Sequence, residues 1–192
     1  MKKRCRKVLP YIVIVVLLLI FNLPFPVHRE ISGVLIQPDN PDFCEKITIE
    51  LDGSYHLNWM NHDKYKGYFR ISNDALTKRN ELLFPIAVGA DFDEAESDLQ
   101  YDLEDEKLSK EELMKVQDGF KWYNGGRVLS KRFLCKICIV VASAEKYDDG
   151  RVAWDYGDLS NGKCSIIVTG TDTYEDAVHI LTASYGDVIK LS

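Results

Sequence analysis

The sequence of 192 residues lacks the short motifs by which most enzymes are recognised. It contains no G-x-S-x-G nucleophile motif, no phosphate-binding Walker loop, no H-E-x-x-H zinc motif and no glycine-rich dinucleotide fingerprint. A serine or cysteine nucleophile therefore has no local support. Two carboxylates brought together by the fold would leave no such signature, so a hydrolase of that kind stays open. No cofactor is predicted.

Acidic residues are absent from the first 25 positions, and residues 8–25 carry no charge at all. Five basic residues precede this apolar run: Lys2, Lys3, Arg4, Arg6 and Lys7. As a helix rising about 1.5 Å per residue, the run reaches roughly 27 Å, close to the thickness of a bilayer core. Because no small-residue cleavage site follows it, we favour an uncleaved signal anchor over a cleaved signal peptide. The basic residues are expected to keep the amino terminus in the cytoplasm.

The anchor sets the expected domain organisation and the expected partners. Residues 1–27 are predicted to be a cytoplasmic tail and transmembrane anchor, and residues 28–192 a single extracytoplasmic domain. Removing the first 25 residues leaves 19 basic against 30 acidic residues, a formal charge of −11. Such a surface repels phosphate, so we expect neither nucleic-acid binding nor attraction to anionic lipid headgroups. The expected partner is the membrane through residues 8–25, with an extracytoplasmic protein or glycan as a further possibility.

The remaining sequence indicates mostly strands. Alternation places Ile47, Ile49 and Leu51 on one face, and Asp52-Gly53 after them is typical of a hairpin turn. The run 133–142 is apolar on both faces, which predicts a central strand. The predicted strands are 31–37, 46–52, 65–71, 82–88, 133–142, 151–156 and 164–169.

Two helices are predicted from capping patterns. Ser109 and Glu112 have the spacing of a capping box, which predicts a helix to about residue 117. Thr173 and Asp176 form a weaker box before an apolar stripe of Ala177, Ile180 and Leu181. The predicted class is α+β and β-rich: one transmembrane helix, then a mainly antiparallel sheet or sandwich with one or two short helices.

Four cysteines follow the anchor: Cys44, Cys135, Cys138 and Cys164. Cys135 and Cys138 have C-x-x-C spacing, but residues three apart on a strand point to opposite faces, so the two sulfurs should not meet. Buried thiols are the first expectation. A disulfide from Cys135 or Cys138 to Cys164 comes next, because an oxidising compartment would permit it. A redox or metal-binding domain around the four cysteines is the remaining alternative.

Aromatic residues cluster in one stretch of the chain. Tyr55, Trp59, Tyr65 and Tyr68 could stack on a sugar or a peptide, and they could equally belong to the core and edge of a small sheet. We take them as candidate binding residues. No catalytic residue and no metal ligand is predicted. His56, His62 and Asp63, close to Trp59, match no recognised metal pattern.

Several strand and turn segments, 31–36, 47–55, 65–71 and 166–177, resemble those of small membrane-anchored extracytoplasmic proteins of bacteria that have no assigned activity. The first segment also resembles the start of a prealbumin-type β-sandwich. The resemblance implies β character and an extracytoplasmic location. The expected function is a single-pass membrane protein that presents a non-catalytic β-rich domain in a binding or accessory role. The alternatives are a cell-envelope hydrolase that uses fold-assembled carboxylates and the cysteine-based redox or metal domain.

Overall fold

The computed structural model describes residues 11–13, 15–16, 23–58, 61–89, 97–103, 108–109, 112, 116, 122–147, 151–157 and 163–186. The described strands are β1 Phe25–Gln37, β2 Asn40–His56, β3 Asp63–Ile71, β4 Ile86–Val88, β5 Asp98–Asp102, β6 Trp122–Ser130, β7 Ile137–Val140, β8 Ser143–Lys146, β9 Val152–Asp155 and β10 Ile166–Thr169. The helices with described bounds are α1 Ala75–Arg79 and α2 Tyr174–Tyr185, and a 3-10 segment, Arg132–Leu134, precedes β7.

Eight of the strands form one antiparallel sheet in the order β4-β3-β2-β1-β10-β7-β6-β5, and β8 and β9 form a separate hairpin. Strands twist, so a sheet of this width curls. Its two edges meet where Leu82, just before β4, forms an antiparallel bridge with Tyr101 of β5. The Leu83 N–H also donates to the Gln100 carbonyl at 2.7 Å. The prediction of a β-rich, mainly antiparallel domain is confirmed, but the eight strands make a single nearly closed sheet and not a two-layer sandwich.

The inside of the curled sheet is filled with large apolar side chains. The predicted alternation is confirmed for Ile47, Ile49 and Leu51 on β2, and for the inward side of β3 from Tyr65 to Ile71. Residues from five other strands complete this interior: Val88, Leu99, Tyr101, Val128, Ile137, Ile139 and Ile167. A strand face of alternating apolar residues is buried here because the sheet closes around it.

Helix α2 covers part of the outer face. Its predicted cap is confirmed, since the Asp176 N–H donates to Thr173 Oγ1 at 3.2 Å. Ala177, Leu181 and Tyr185 are buried on the helix, in one cluster with outward-facing residues of β1, β10, β7 and β6. Strands β7 and β10 are therefore buried on both faces, as their continuous apolar sequences indicate.

The first predicted helix is represented by its capping contacts. The Ser109 N–H donates to Glu112 Oε2 at 2.7 Å, and the Glu112 N–H donates to Ser109 Oγ at 3.2 Å. These are the two reciprocal bonds of a capping box. Most of the segment predicted to follow, up to residue 117, lies outside the described residues.

The prediction of a turn at Asp52-Gly53 is wrong. Strand β2 continues through both residues to His56, and Gly53 lies opposite Gly67 of β3. A Cβ atom at Gly53 would come within 2.2 Å of the Lys66 carbonyl oxygen, and Gly67 has a φ of +137°. These glycines therefore permit two strands to approach closely. Close approach of another backbone is, besides a turn, a reason for glycine within a strand. The described turn between β1 and β2 is at Pro38 and Asp39.

The prediction of one strand over 133–142 is also wrong at its beginning. Phe133 and Leu134 have φ values of 59° and 53°, in the left-handed region, and β7 begins only at Ile137. Cys135 follows with right-handed helical backbone and is exposed, whereas Cys138 is buried in β7. The two cysteines therefore differ in environment. The reason is not the one predicted, because they do not lie on the same strand.

At the amino-terminal side, residues 11–13 and 15–16 are helical, and β1 begins at Phe25. Phe25, Pro26 and Val27 pair with Tyr55, Ser54 and Gly53, so the sheet begins three residues before the predicted domain boundary. No helix among the described residues has both the length and the apolar character needed to cross a membrane. Most of the predicted anchor, residues 8–25, lies outside the described residues.

Candidate functional site

The structure separates the aromatic residues predicted to bind a ligand. Tyr55 and Tyr65 are directly opposite each other on β2 and β3, and both are buried. Tyr68 lies on the outer face of β3, where the Arg70 guanidinium is 4.2 Å from its ring centre. Trp59 lies outside the described residues. The four residues therefore do not form one binding surface within the part of the chain that is described.

Tyr65 is part of the core. Its hydroxyl donates to the Tyr68 carbonyl at 2.7 Å, and its ring packs edge-on against Phe69 at 6.4 Å between centroids. Burial raises the pKa of the Tyr65 phenol well above its ordinary value, because the charged phenolate is disfavoured away from water. This tyrosine stabilises the fold and offers no surface to a ligand.

Tyr55, in contrast, contributes to a groove at one end of the curled sheet. The groove has a volume of about 220 Å³. Its lining residues come from β1, from β2 and the residue after it, and from the 3-10 segment: Phe25, Val27, Arg29, Tyr55, Leu57 and Phe133. Apolar side chains predominate, with the Arg29 guanidinium as the charged group. We refer to this feature as the aromatic groove.

Phe133 is the residue that sequence reasoning missed. Its side chain is 58% exposed and its ring stacks on that of Tyr55, with 5.5 Å between centroids and 20° between planes. Its φ of 59° and ψ of 20° are unusual for a bulky residue, at a cost of about 1–3 kcal/mol. The next residue, Leu134, points into the core and is 1% exposed. The left-handed backbone thus buries one side chain of the pair and presents the other to solvent.

A buried hydrogen-bond network holds Phe133 in place. The Phe133 N–H donates to Tyr55 Oη at 2.9 Å, and Tyr55 Oη donates to Asp63 Oδ2 at 2.7 Å. The other carboxylate oxygen, Asp63 Oδ1, accepts from the Asn58 N–H at 2.8 Å. Asp63 is 2% exposed, so these bonds satisfy a carboxylate that would otherwise be costly to bury. The network explains how an unfavourable backbone conformation persists at Phe133.

The aromatic groove is suited to binding and not to bond cleavage. It presents apolar surface, two phenyl rings and one cation. Asp63, which is hydrogen-bonded to the groove residue Tyr55, has both carboxylate oxygens engaged in the network. An apolar surface of this kind recognises a hydrophobic group, with Arg29 available for a neighbouring anion.

A larger cleft lies elsewhere and contains two carboxylates, as the hydrolase alternative requires. It has a volume of about 560 Å³ and includes Asp74, Glu112 and Tyr123. Asp74 caps α1 by accepting from the Leu76 N–H at 2.9 Å, and its second oxygen accepts from Tyr123 Oη at 2.8 Å. Both oxygens of this carboxylate therefore have structural partners.

Glu112 is occupied in a similar way. It forms the capping box with Ser109 and an ion pair with Arg79. Hydrogen bonds from the Ser109 backbone and side chain, followed by the charge of Arg79, lower the pKa of Glu112. A general acid needs the opposite shift, because it must hold its proton near neutral pH. The geometry of this cleft gives the hydrolase alternative no support.

The cysteines fall into two environments. Cys44 and Cys135 are exposed, and Cys138 and Cys164 are buried in the cluster under α2. Burial, and then the proximity of Cys164, raise the pKa of the Cys138 thiol far above its usual range. The thiol of Cys135 is unbridged, so the structure contains no bridge from Cys135 to Cys164. A bridge to Cys164 is predicted from either Cys135 or Cys138. The structure places Cys138 in the same buried cluster as Cys164.

The histidines near the groove contribute no metal site. His56 Nε2 lies 3.2 Å from Ser54 Oγ, and Asp63 is engaged with Tyr55 and Asn58. Within the described ranges, no group of three or more His, Cys, Asp or Glu side chains could hold a metal ion.

Comparison of the chain with protein-family models, with curated proteins and with solved structures gives no match.

Proposed function

We propose that this protein is a single-pass membrane protein whose β-rich domain works outside the cytoplasm as a non-catalytic binding or accessory module. The apolar run from residue 8 to Leu23 forms the anchor, the basic residues before it stay in the cytoplasm, and the curled sheet, which begins at Phe25, is the working domain. The observation that carries the proposal is the aromatic groove, in which Phe133 is held exposed at the end of the sheet where the chain enters.

The amino-terminal side chains support the tether. The described helical residues are apolar and exposed: Tyr11, Ile12, Val13, Val15 and Val16. Apolar side chains that the protein itself leaves uncovered favour a nonaqueous environment, because exposing them to water is unfavourable. The uncharged sequence around them and the five basic residues before it fit a signal anchor.

The groove supports a binding role and not catalysis. Phe133 keeps an unfavourable backbone conformation while its ring remains in solvent, and such strain concentrates where a side chain is presented to a partner. The carboxylates of the larger cleft, Asp74 and Glu112, are engaged in capping and ion pairing. We therefore assign the work of the domain to its surface contacts.

Topology mapping tests the proposal. Intact cells that express the full-length chain are treated with protease, and the mass of the mature chain is measured in parallel. We expect digestion of the domain in intact cells and a mature chain that retains residues 1–25. A domain that is protected in intact cells but digested in lysates would contradict the location. A mature chain that lacks about its first 25 residues would indicate secretion without anchoring.

A further inference from the structure

We propose that the aromatic groove is a membrane-contact surface, in which Phe25 and Phe133 enter the headgroup region of the bilayer while Arg29 binds lipid phosphate. This inference rests on the proposed function, because it requires an anchor in the membrane. It goes beyond that function by assigning the occupant of the groove: the lipid surface next to the anchor. It also fixes the orientation of the domain, with the groove end facing the membrane.

Chain connectivity supports this orientation. Phe25 lines the groove and is two residues after Leu23, the last apolar residue before the prolines. Two extended residues span at most about 7 Å. If the apolar run crosses the bilayer, Phe25 must therefore lie near its outer surface. The other groove residues come with it, because Phe25 is paired with Tyr55 in the sheet.

The strand register directs the right side chains toward the membrane. Along β1, Phe25, Val27 and Arg29 alternate onto the groove side, whereas His28 and Glu30 point to the opposite face. The negative charge of Glu30 is thereby kept away from the groove. A surface with two phenyl rings and a cation matches the composition of interfacial anchors, in which aromatic rings lie at headgroup level and arginine extends to phosphate.

Charge is unevenly distributed between the two ends of the sheet. The formal net charge of −11 after the first 25 residues does not reveal this difference. Lys131 and Lys136 are exposed within three residues of Phe133, and the Lys131 N–H donates to the Lys136 carbonyl. Lys136 adds to Arg29 at the groove end, and so does Lys131, whose ammonium group lies 5.3 Å from the ring centre of Tyr185. The groove end therefore carries the charge that anionic headgroups attract.

The opposite end, around the turn after β1, is acidic. Asp39 and Asp155 line one cavity there, with Lys163 as its cation. Glu175 lies in the first turn of α2 next to Tyr174, whose hydroxyl donates to the Pro38 carbonyl at 2.7 Å. An anionic membrane would repel this end and attract the other, so electrostatics and chain connectivity favour the same orientation.

The test measures the depth of single tryptophans in lipid. The full-length chain carries Phe133→Trp or, as a matched control, Phe84→Trp. Phe84 has nearly the same exposure, 59% against 58%, but it lies before β4 and outside the groove. Each variant is reconstituted into phosphatidylcholine–phosphatidylglycerol vesicles with or without brominated lipid. The emission of the unsubstituted chain is subtracted, because it already contains three tryptophans.

We expect brominated lipid to remove about half or more of the emission added by Phe133→Trp and little of that added by Phe84→Trp. Leu57→Trp, on the same groove but distant in sequence from the anchor, is the second reporter and should behave like Phe133→Trp. Replacing Lys131 and Lys136 together by Gln should reduce the quenching in anionic vesicles and leave it unchanged in pure phosphatidylcholine.

Flotation of the same vesicles separates this inference from the proposed function. A chain that does not float with the vesicles contradicts the anchor, and the proposed function fails with it. A chain that floats but shows equal quenching at both positions, or none, overturns the membrane-contact surface and leaves the anchor intact. In a third outcome, brominated lipid does not quench the groove tryptophans, but a soluble peptide or oligosaccharide does. That result would assign the groove to the soluble ligand and would also overturn the proposal.

Discussion

Replacing Tyr55 by Phe should destabilise the domain through the loss of a single hydroxyl. The ring remains and can still stack on Phe133, so the change isolates the hydrogen bonds. The hydroxyl accepts from the Phe133 N–H at 2.9 Å and donates to Asp63 Oδ2 at 2.7 Å. A net value of about 1 kcal/mol for the first bond and 1.5–3 kcal/mol for the bond to a charged group gives about 2–4 kcal/mol.

The loss is measured by urea unfolding of the full-length chain in mild detergent, followed by circular dichroism. With an m-value of about 2 kcal/mol per molar urea, the midpoint should fall by about 1–2 M. Tyr68→Phe is the matched control, because this tyrosine is on the outer face and its ring contact with Arg70 survives the change. It should alter the free energy of unfolding by less than about 0.5 kcal/mol. If Tyr55→Phe were as stable as the control, the network would not hold Phe133 in place.

Three further outcomes are expected. Gly67→Ala should lower the free energy of unfolding by at least about 2 kcal/mol in urea titration, because its φ is +137° and the new Cβ would lie 2.5 Å from the Asp52 carbonyl oxygen. In native protein at mildly alkaline pH, iodoacetamide should modify Cys44 rapidly and Cys138 only after unfolding, as mass spectrometry of the peptides will show; equal rates would contradict the burial of Cys138. Burial raises the pKa of the Tyr101 and Tyr123 phenols above the unfolded value, so stability is full below pH about 10 and is lost as the pH rises further. Phenolate absorbance should therefore appear together with unfolding, and phenols that titrate freely while the fold persists would refute this.

The sequence predicted those parts of the fold in which local pattern and tertiary structure agree. Alternation on β2 and β3, the capping box of Ser109 and Glu112, and the cap of α2 at Thr173 are all confirmed. Each depends on side chains within a few residues of one another. The meeting of the sheet edges at Leu82 and Tyr101 depends on curvature summed over eight strands, which no local pattern specifies.

The wrong predictions have a common physical cause: one residue type can serve two purposes. Asp52-Gly53 is a frequent turn pair, but here the glycine allows a close approach to Gly67. The apolar run beginning at Phe133 indicates a strand, but the backbone there becomes left-handed before β7 begins. In both cases a tertiary contact overrides the local preference.

The candidate site could be predicted only in part. Tyr55 is a predicted binding residue and lines the aromatic groove, whereas Tyr65 belongs to the core and Tyr68 lies on another face. The role of Phe133 depends on a hydrogen bond to Tyr55, 78 residues away in sequence. One local signal is present: Lys131 and Lys136 flank the apolar pair Phe133-Leu134. A buried strand would not carry such basic residues.

The position of β10 determines when the chain can fold. This strand, Ile166–Thr169, lies between β1 and β7, so these two strands are not joined until the chain has been synthesised to residue 169. Contacts between segments so far apart in sequence make folding slow. Closure of the sheet therefore follows the synthesis of β10. Until β10 is available, β1 and β7 each keep an unpaired edge, and such edges can pair with another chain.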